Sequence, residues 1–164
     1  MIIKDFMNNE WVGKCIGCLI GSGEIIPPGG IITETENFVL HQDPEVPIKG
    51  FLIIESKKHI KSISQLTLEE SEELFHLVYR ARLAMKDIRD INEVTIIQEE
   101  RSEHFHLWLL PRYEWMTDRF GNSLSNVREM MAYSKENLKT KDNIEEVLLV
   151  ASKLKIFLKF GEER

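Results

Sequence analysis

The 164-residue sequence predicts an α+β domain, an antiparallel sheet flanked by helices with a helical extension at its C-terminal end. Three observations carry that expectation. Strand-like apolar runs occupy the first third, a long segment of helical periodicity follows, and two strand patterns joined by a short polar loop precede a helical last third. Strands joined that closely pair antiparallel, because a parallel crossover needs a dozen or more residues.

Each element has its own signal. Phe38 and Leu40, then Gly50-Phe51-Leu52-Ile53-Ile54, read as strands punctuated by Pro27-Pro28-Gly29-Gly30, Pro44 and Pro47. Thr67-Leu68-Glu69-Glu70 has the capping-box pattern, and Leu74, Leu77, Val78, Ala81, Met85 and Ile88 recur at helical spacing, predicting a helix over about 68 to 89. Val94-Thr95-Ile96-Ile97 is a strand, Glu99 to Ser102 a polar loop, and 104 to 110 a second strand. Beyond Pro111 the period is helical again: Val127, Met130 and Met131 share one face, and Ile144, Val147, Leu148, Ala151, Leu154 and Phe157 mark one long helix from about 142. With no repeat and no Pro/Ser-rich linker, residues 1–164 are expected to form one domain.

Composition excludes several classes. Lys and Arg number 21 against 27 Asp and Glu, a net charge of −6, which argues against a grip on polymeric nucleic acid through phosphate neutralisation. A small anionic ligand at a locally positive site stays compatible with it. At this length roughly two-thirds of the unfolded chain's surface can be buried, so the core needs neither disulfide nor metal to form. No apolar run approaches the roughly 18 residues of a membrane span, and MIIKDFMNNEW lacks the pattern of a signal peptide. The expectation is a cytoplasmic protein without a membrane partner. In a reducing compartment Cys15 and Cys18 point to metal or redox chemistry, or to two small buried thiols, rather than to a structural disulfide.

The most informative stretch is His104-Phe105-His106-Leu107-Trp108-Leu109-Leu110-Pro111-Arg112. On a strand, His104, His106 and Trp108 project from one face while Phe105, Leu107 and Leu109 project into the core. Residues two apart on one face stand about 6.5 to 7 Å from each other, so two imidazoles serve one site without bonding each other directly. They are either a shared site or simply polar residues of a half-exposed strand. Cys15, Cys18, His59 and His104 together make a two-Cys, two-His donor set of the kind zinc prefers, although the 45 positions between the histidines match no zinc finger.

In order along the chain stand Cys15-Ile16-Gly17-Cys18, Gly23-Glu24-Ile25-Ile26-Pro27, Asp43-Pro44, Gly50-Phe51-Leu52-Ile53-Ile54-Glu55-Ser56-Lys57-Lys58-His59-Ile60 and the His104 strand ending in Pro111-Arg112. This sequence of motifs, covering about residues 11 to 112, resembles the histidine triad (HIT) nucleotide hydrolases and transferases. The resemblance implies a HIT-like fold and a structural zinc held by Cys15, Cys18, His59 and His104. It also implies His106 as the nucleophile, which attacks a nucleotide α-phosphorus to form a covalent nucleotidyl-histidine, and Asp43 at the ribose. The implied substrate is a nucleoside polyphosphate such as a diadenosine polyphosphate. Family members often form homodimers, which is carried over as an expectation.

The motif departs from the family at its third position, which is Trp108 instead of His. An indole N–H is only a hydrogen-bond donor and cannot deliver a proton, so polyphosphate leaving groups should suffer least and amines most. Trp108 is expected either to stack on a base or to fill its face of the sheet. The Gly- and Ser-rich stretch that usually precedes the triad is replaced by Gln98-Glu99-Glu100-Arg101-Ser102-Glu103, where Gln98 or Ser102 is the candidate phosphate contact. Two rivals follow: a catalytically silent, zinc-stabilised nucleotide-binding protein, and a purely structural module in which His104 and His106 both bind metal. Lys57-Lys58 are candidates for phosphate steering; Arg112, Tyr113 and Trp115 are candidates for closing the pocket; His41 and His76 show no partner pattern.

Overall fold

The computed structural model describes residues 1–161. A hairpin of β1 (Ile2–Lys4) and β2 (Glu10–Val12) comes first, followed by the short helix α1 (Ile16–Gly21). The main sheet consists of β3 (Ile31–Glu34), β4 (Phe38–Gln42), β5 (Leu52–Ser56), β6 (Glu93–Gln98) and β7 (His106–Arg112), in the spatial order β3-β4-β5-β7-β6. Every pairing is antiparallel. Helix α2 (Leu68–Lys86) joins β5 to β6, and α3 (Glu114–Phe120), α4 (Val127–Asn137) and α5 (Lys141–Phe160) follow the sheet.

The expected α+β architecture is therefore what the chain adopts, with shifts of a few residues at the ends. Helix α2 stops at Lys86 rather than 89, and β7 begins at His106 because residues 102–104 turn around the metal-ligand end of the strand. The β1–β2 hairpin and α1 carried no sequence signal; strands of three residues are too short to show a period. Thr67 caps α2 as its pattern indicated, its hydroxyl accepting from the Glu70 amide while the Glu70 carboxylate accepts from the Thr67 amide.

Register positions the site. Leu52 pairs with Leu109 and Ile54 with Leu107, whereas Ile53 pairs with Trp108 and Glu55 with His106. Directly paired residues share a face, so Leu52, Ile54, Leu107 and Leu109 join Leu74, Leu77, Ala81 and Met85 of α2 in the main core. Glu55 and His106 stand on the opposite face. The C-terminal extension is integral to the packing: Leu154 and Leu158 of α5 and Met130 of α4 are buried in the same core. No described helix is long and apolar enough to cross a membrane.

Candidate metal centre and active-site cleft

Helix α1 begins at the C-x-x-C motif, Cys15 taking the N-cap position, so one helical turn brings both sulfurs to the same side. His59 approaches from the loop after β5, and His104 from the residues leading into β7. The Cys15 and Cys18 sulfurs lie 3.3 and 3.6 Å from His104 Nδ1, Cys18 Sγ lies 3.3 Å from His59 Nδ1, and the two Nδ1 atoms are 3.4 Å apart. All four donor atoms fall within 4.8 Å of one another. Tetrahedral zinc, with bonds of about 2.3 Å to sulfur and 2.05 Å to nitrogen, requires sulfur–nitrogen edges of about 3.5 Å and a nitrogen–nitrogen edge of about 3.4 Å. The four residues form a site for a structural zinc ion, with no position left open for water.

Protonation agrees with that assignment. His104 Nε2 lies 2.7 Å from the Ser56 carbonyl oxygen, which only accepts, so Nε2 carries the hydrogen and Nδ1 keeps its lone pair for the metal. Burial holds the His104 ring below the ordinary imidazole range, in its neutral, ligating form. Burial and the adjoining Cys15 push the Cys18 thiol up to about 11, so two neighbouring thiolates are unfavourable here without a cation between them. Gly17 makes the approach feasible, since a Cβ there would lie 2.5 Å from His104 Cδ2.

His106 is held differently. Its Nδ1 lies 3.1 Å from the His104 carbonyl oxygen and 3.3 Å from the Ser102 hydroxyl. The carbonyl takes the Nδ1 hydrogen, leaving Nε2 on the far edge of the ring with a free lone pair. The ring lies at the junction of two clefts of about 290 and 390 Å³, the first also lined by Asp43 and Glu55, the second by Glu99 and Arg101, and both by Ser102, Trp108 and Arg128.

Other sequence candidates fare unequally. Trp108 is 8% exposed, packed edge-on to Phe51 at 6.0 Å and tilted on His106 at 5.3 Å, so its ring chiefly fills the face while one edge walls the clefts. Asp43 lines the first cleft, its Oδ1 accepting from the Glu45 and Val46 amides at 2.8 Å each. Burial outweighs those two bonds and pushes its carboxyl up to about 6. The Ser102 hydroxyl donates to the His104 carbonyl at 2.7 Å, behind the His106 ring rather than on its Nε2 side. Gln98 requires correction as a phosphate contact. It pairs with Leu107, hence projects on the face opposite His106, and its amide donates to the Lys61 carbonyl.

The lysine pair is also engaged elsewhere, Lys57 with Glu34 at 2.8 Å and Lys58 with Glu70. Tyr113 donates to the Lys49 carbonyl and Arg112 to Thr95, away from the clefts. Two contributors had no sequence signal. Arg128 of α4 lies over the Trp108 ring at 5.2 Å, and His41 pairs with Glu55 inside the sheet, its Nε2 3.5 Å from Oε1.

No family model matches the chain. Among solved structures, the Zn-bound histidine triad family protein of Mycobacterium smegmatis superposes with a TM-score of 0.60, covering 92% of this chain and 98% of that one at 20% identity. A HIT family protein from Bacillus anthracis gives a TM-score of 0.57 at 27% identity, over 85% of this chain and 97% of the other. The fold is the histidine-triad fold. A curated relative, "Protein hit" of Bacillus subtilis, is 28% identical over 106 residues, 61% of this chain and 72% of that protein. In this chain Trp108 stands beside His106, and Arg128, Met131 and Lys135 of α4 line the cleft.

Proposed function

We propose that this protein cleaves nucleoside polyphosphates by transferring the nucleotidyl group to His106 and then to water. The observation that carries the reading is the His106 ring itself: Nδ1 is held by a backbone carbonyl, Nε2 is left unprotonated, and the ring lines the clefts. Nε2 attacks the α-phosphorus, the P–Nε2 bond forms, and the bond to the leaving phosphate oxygen breaks with its electron pair on that oxygen. The nucleotidylated ring is cationic, stabilised by the His104 carbonyl that accepts from Nδ1. Asp43, through the oxygen not engaged with the backbone, is placed to accept from a ribose hydroxyl.

Zinc bound by Cys15, Cys18, His59 and His104 ties the α1 loop and the loop after β5 to the start of β7. It thereby fixes the backbone carbonyl that orients His106. The leaving group departs as an anion, which suits a polyphosphate in a site whose third motif position is Trp108. Arg128 brings a cation to the same path.

The test is hydrolysis of a dinucleoside tetraphosphate by wild type and His106→Asn. Mononucleotide release by the wild type, lost in the variant, supports the reading. The silent-binding alternative is favoured by the burial of Trp108 where a proton donor would stand; it predicts normal nucleotide affinity with no product from either protein.

A further inference from the structure

Glu55 is placed where the missing third histidine leaves a chemical need. It sits on β5 directly opposite His106, on the same face, and lines the same cleft as Asp43. Its side chain is 11% exposed, Oε1 lies 3.5 Å from His41 Nε2, and Oε2 is buried without a hydrogen-bond partner among the described residues. His41 is fully buried, and its Nδ1 lies 2.8 Å from the Gln42 carbonyl, which fixes a hydrogen on Nδ1 and turns Nε2 toward Glu55. A carboxylate and an imidazole are both costly to bury, and an unpaired carboxylate oxygen at the wall of a cleft is a group waiting for a donor.

The cleft-facing position of Glu55 opposite His106 sets its role, and the direction of its protonation equilibrium accords with it. Burial alone would raise the Glu55 carboxyl, but the His41 ring 3.5 Å away more than offsets it and holds the group ionised below the ordinary range. Conversely, burial lowers the His41 ring and Glu55 more than restores it. An ionised carboxylate has no proton to give in the first step and has an acceptor oxygen to offer in the second. Paired with His41, it also presents little net negative charge to an incoming phosphate.

We infer that Glu55, positioned by His41, is the general base that activates water against the nucleotidyl–His106 intermediate. This rests on the nucleotidyl-histidine reading above. As the water oxygen bonds to phosphorus, one water proton passes to the Glu55 carboxylate. The P–Nε2 bond breaks, its electron pair returning to Nε2, and the cationic ring becomes neutral with its Nδ1 hydrogen unchanged. The nucleoside monophosphate leaves, and Glu55 releases its proton to solvent. No cofactor or further reactant is needed.

The experiment is rapid quenching of wild type and Glu55→Gln with a dinucleoside tetraphosphate labelled at the α-phosphorus, reading label on the protein and product in solution. Expected for Glu55→Gln is acid-labile label approaching one per chain with turnover at least about 100-fold lower than wild type, the usual scale of a lost general base. Turnover within about threefold of wild type overturns the inference, and so does a variant with normal zinc content that takes up no label. Glu55→Ala with added formate is the second probe: restored release of label is expected, and no restoration contradicts the role. Label and product from the wild type alongside an unaffected Glu55→Gln sinks only this inference. Neither label nor product from the wild type sinks the nucleotidyl-histidine reading with it.

Discussion

His104 and His106 stand two residues apart, one leading into β7 and the other beginning it, yet their surroundings are opposite in kind. Every polar atom of His104 is committed, Nδ1 among three metal donors and Nε2 to the Ser56 carbonyl. His106 has one nitrogen held by a carbonyl and its other edge toward the clefts, and beside it stand an Asp43 carboxyl raised by burial and a Glu55 oxygen without a partner among the described residues. The cluster around His104 is arranged for stability, and the cleft around His106 retains groups whose burial costs stability. The same side chain thus stands in two settings, and the difference is set by what holds the ring.

That contrast can be broken from either side. The largest effect is expected at the nucleophile: His106→Asn should lower dinucleoside tetraphosphate turnover by about 10⁴-fold or more, since no other group on that face of the strand can form the covalent bond. Next come the metal ligands. Cys15→Ser or His59→Ala should lose zinc, measured by elemental analysis, and several kcal/mol of stability in urea, because zinc affinity is folding free energy. Gly17→Ala should act in the same direction but less, weakening zinc retention against a chelator by about 10-fold, as the new Cβ displaces the His104 ring.

Substitution in the cleft should do the reverse. The Asp43 carboxyl titrates near 3.8 in the unfolded chain and at about 6 in the fold, so the native state binds more protons between those values and stability falls as pH rises through that window. Two units correspond to about 3 kcal/mol at pH 8. Asp43→Asn keeps an oxygen for the Glu45 and Val46 amides while removing the charge. Urea unfolding should show it more stable than wild type by about 2 kcal/mol at pH 8 and no more stable at pH 4. The smallest effect is expected at Gln98: Gln98→Ala, on the opposite face of the sheet, should leave turnover within about twofold.

How far the sequence carried these conclusions depends on whether a feature is local. That His106 and Trp108 share one face of β7 is read directly from a period of two, and the α2 and α5 helices from a period of 3.6. The metal ligands lie far apart in sequence, so their residue types suggest a zinc set while only the resemblance implies that the four meet. The His41–Glu55 pair needed the register of β4 and β5, which no single segment encodes, so His41 looked unpartnered. Gln98 was misplaced for the same reason, one register position deciding its face. Arg128 belongs to a helix whose apolar stripe predicts packing but not which exposed residue overhangs Trp108.

The most direct test of the division between the two histidines is the zinc content of His106→Asn and His104→Asn purified side by side. The account predicts about one zinc per chain in the first and little or none in the second. Loss of zinc from His106→Asn would make His106 a ligand, contradict the separation of a metal-bound and a reactive imidazole, and return the cleft to a purely structural role.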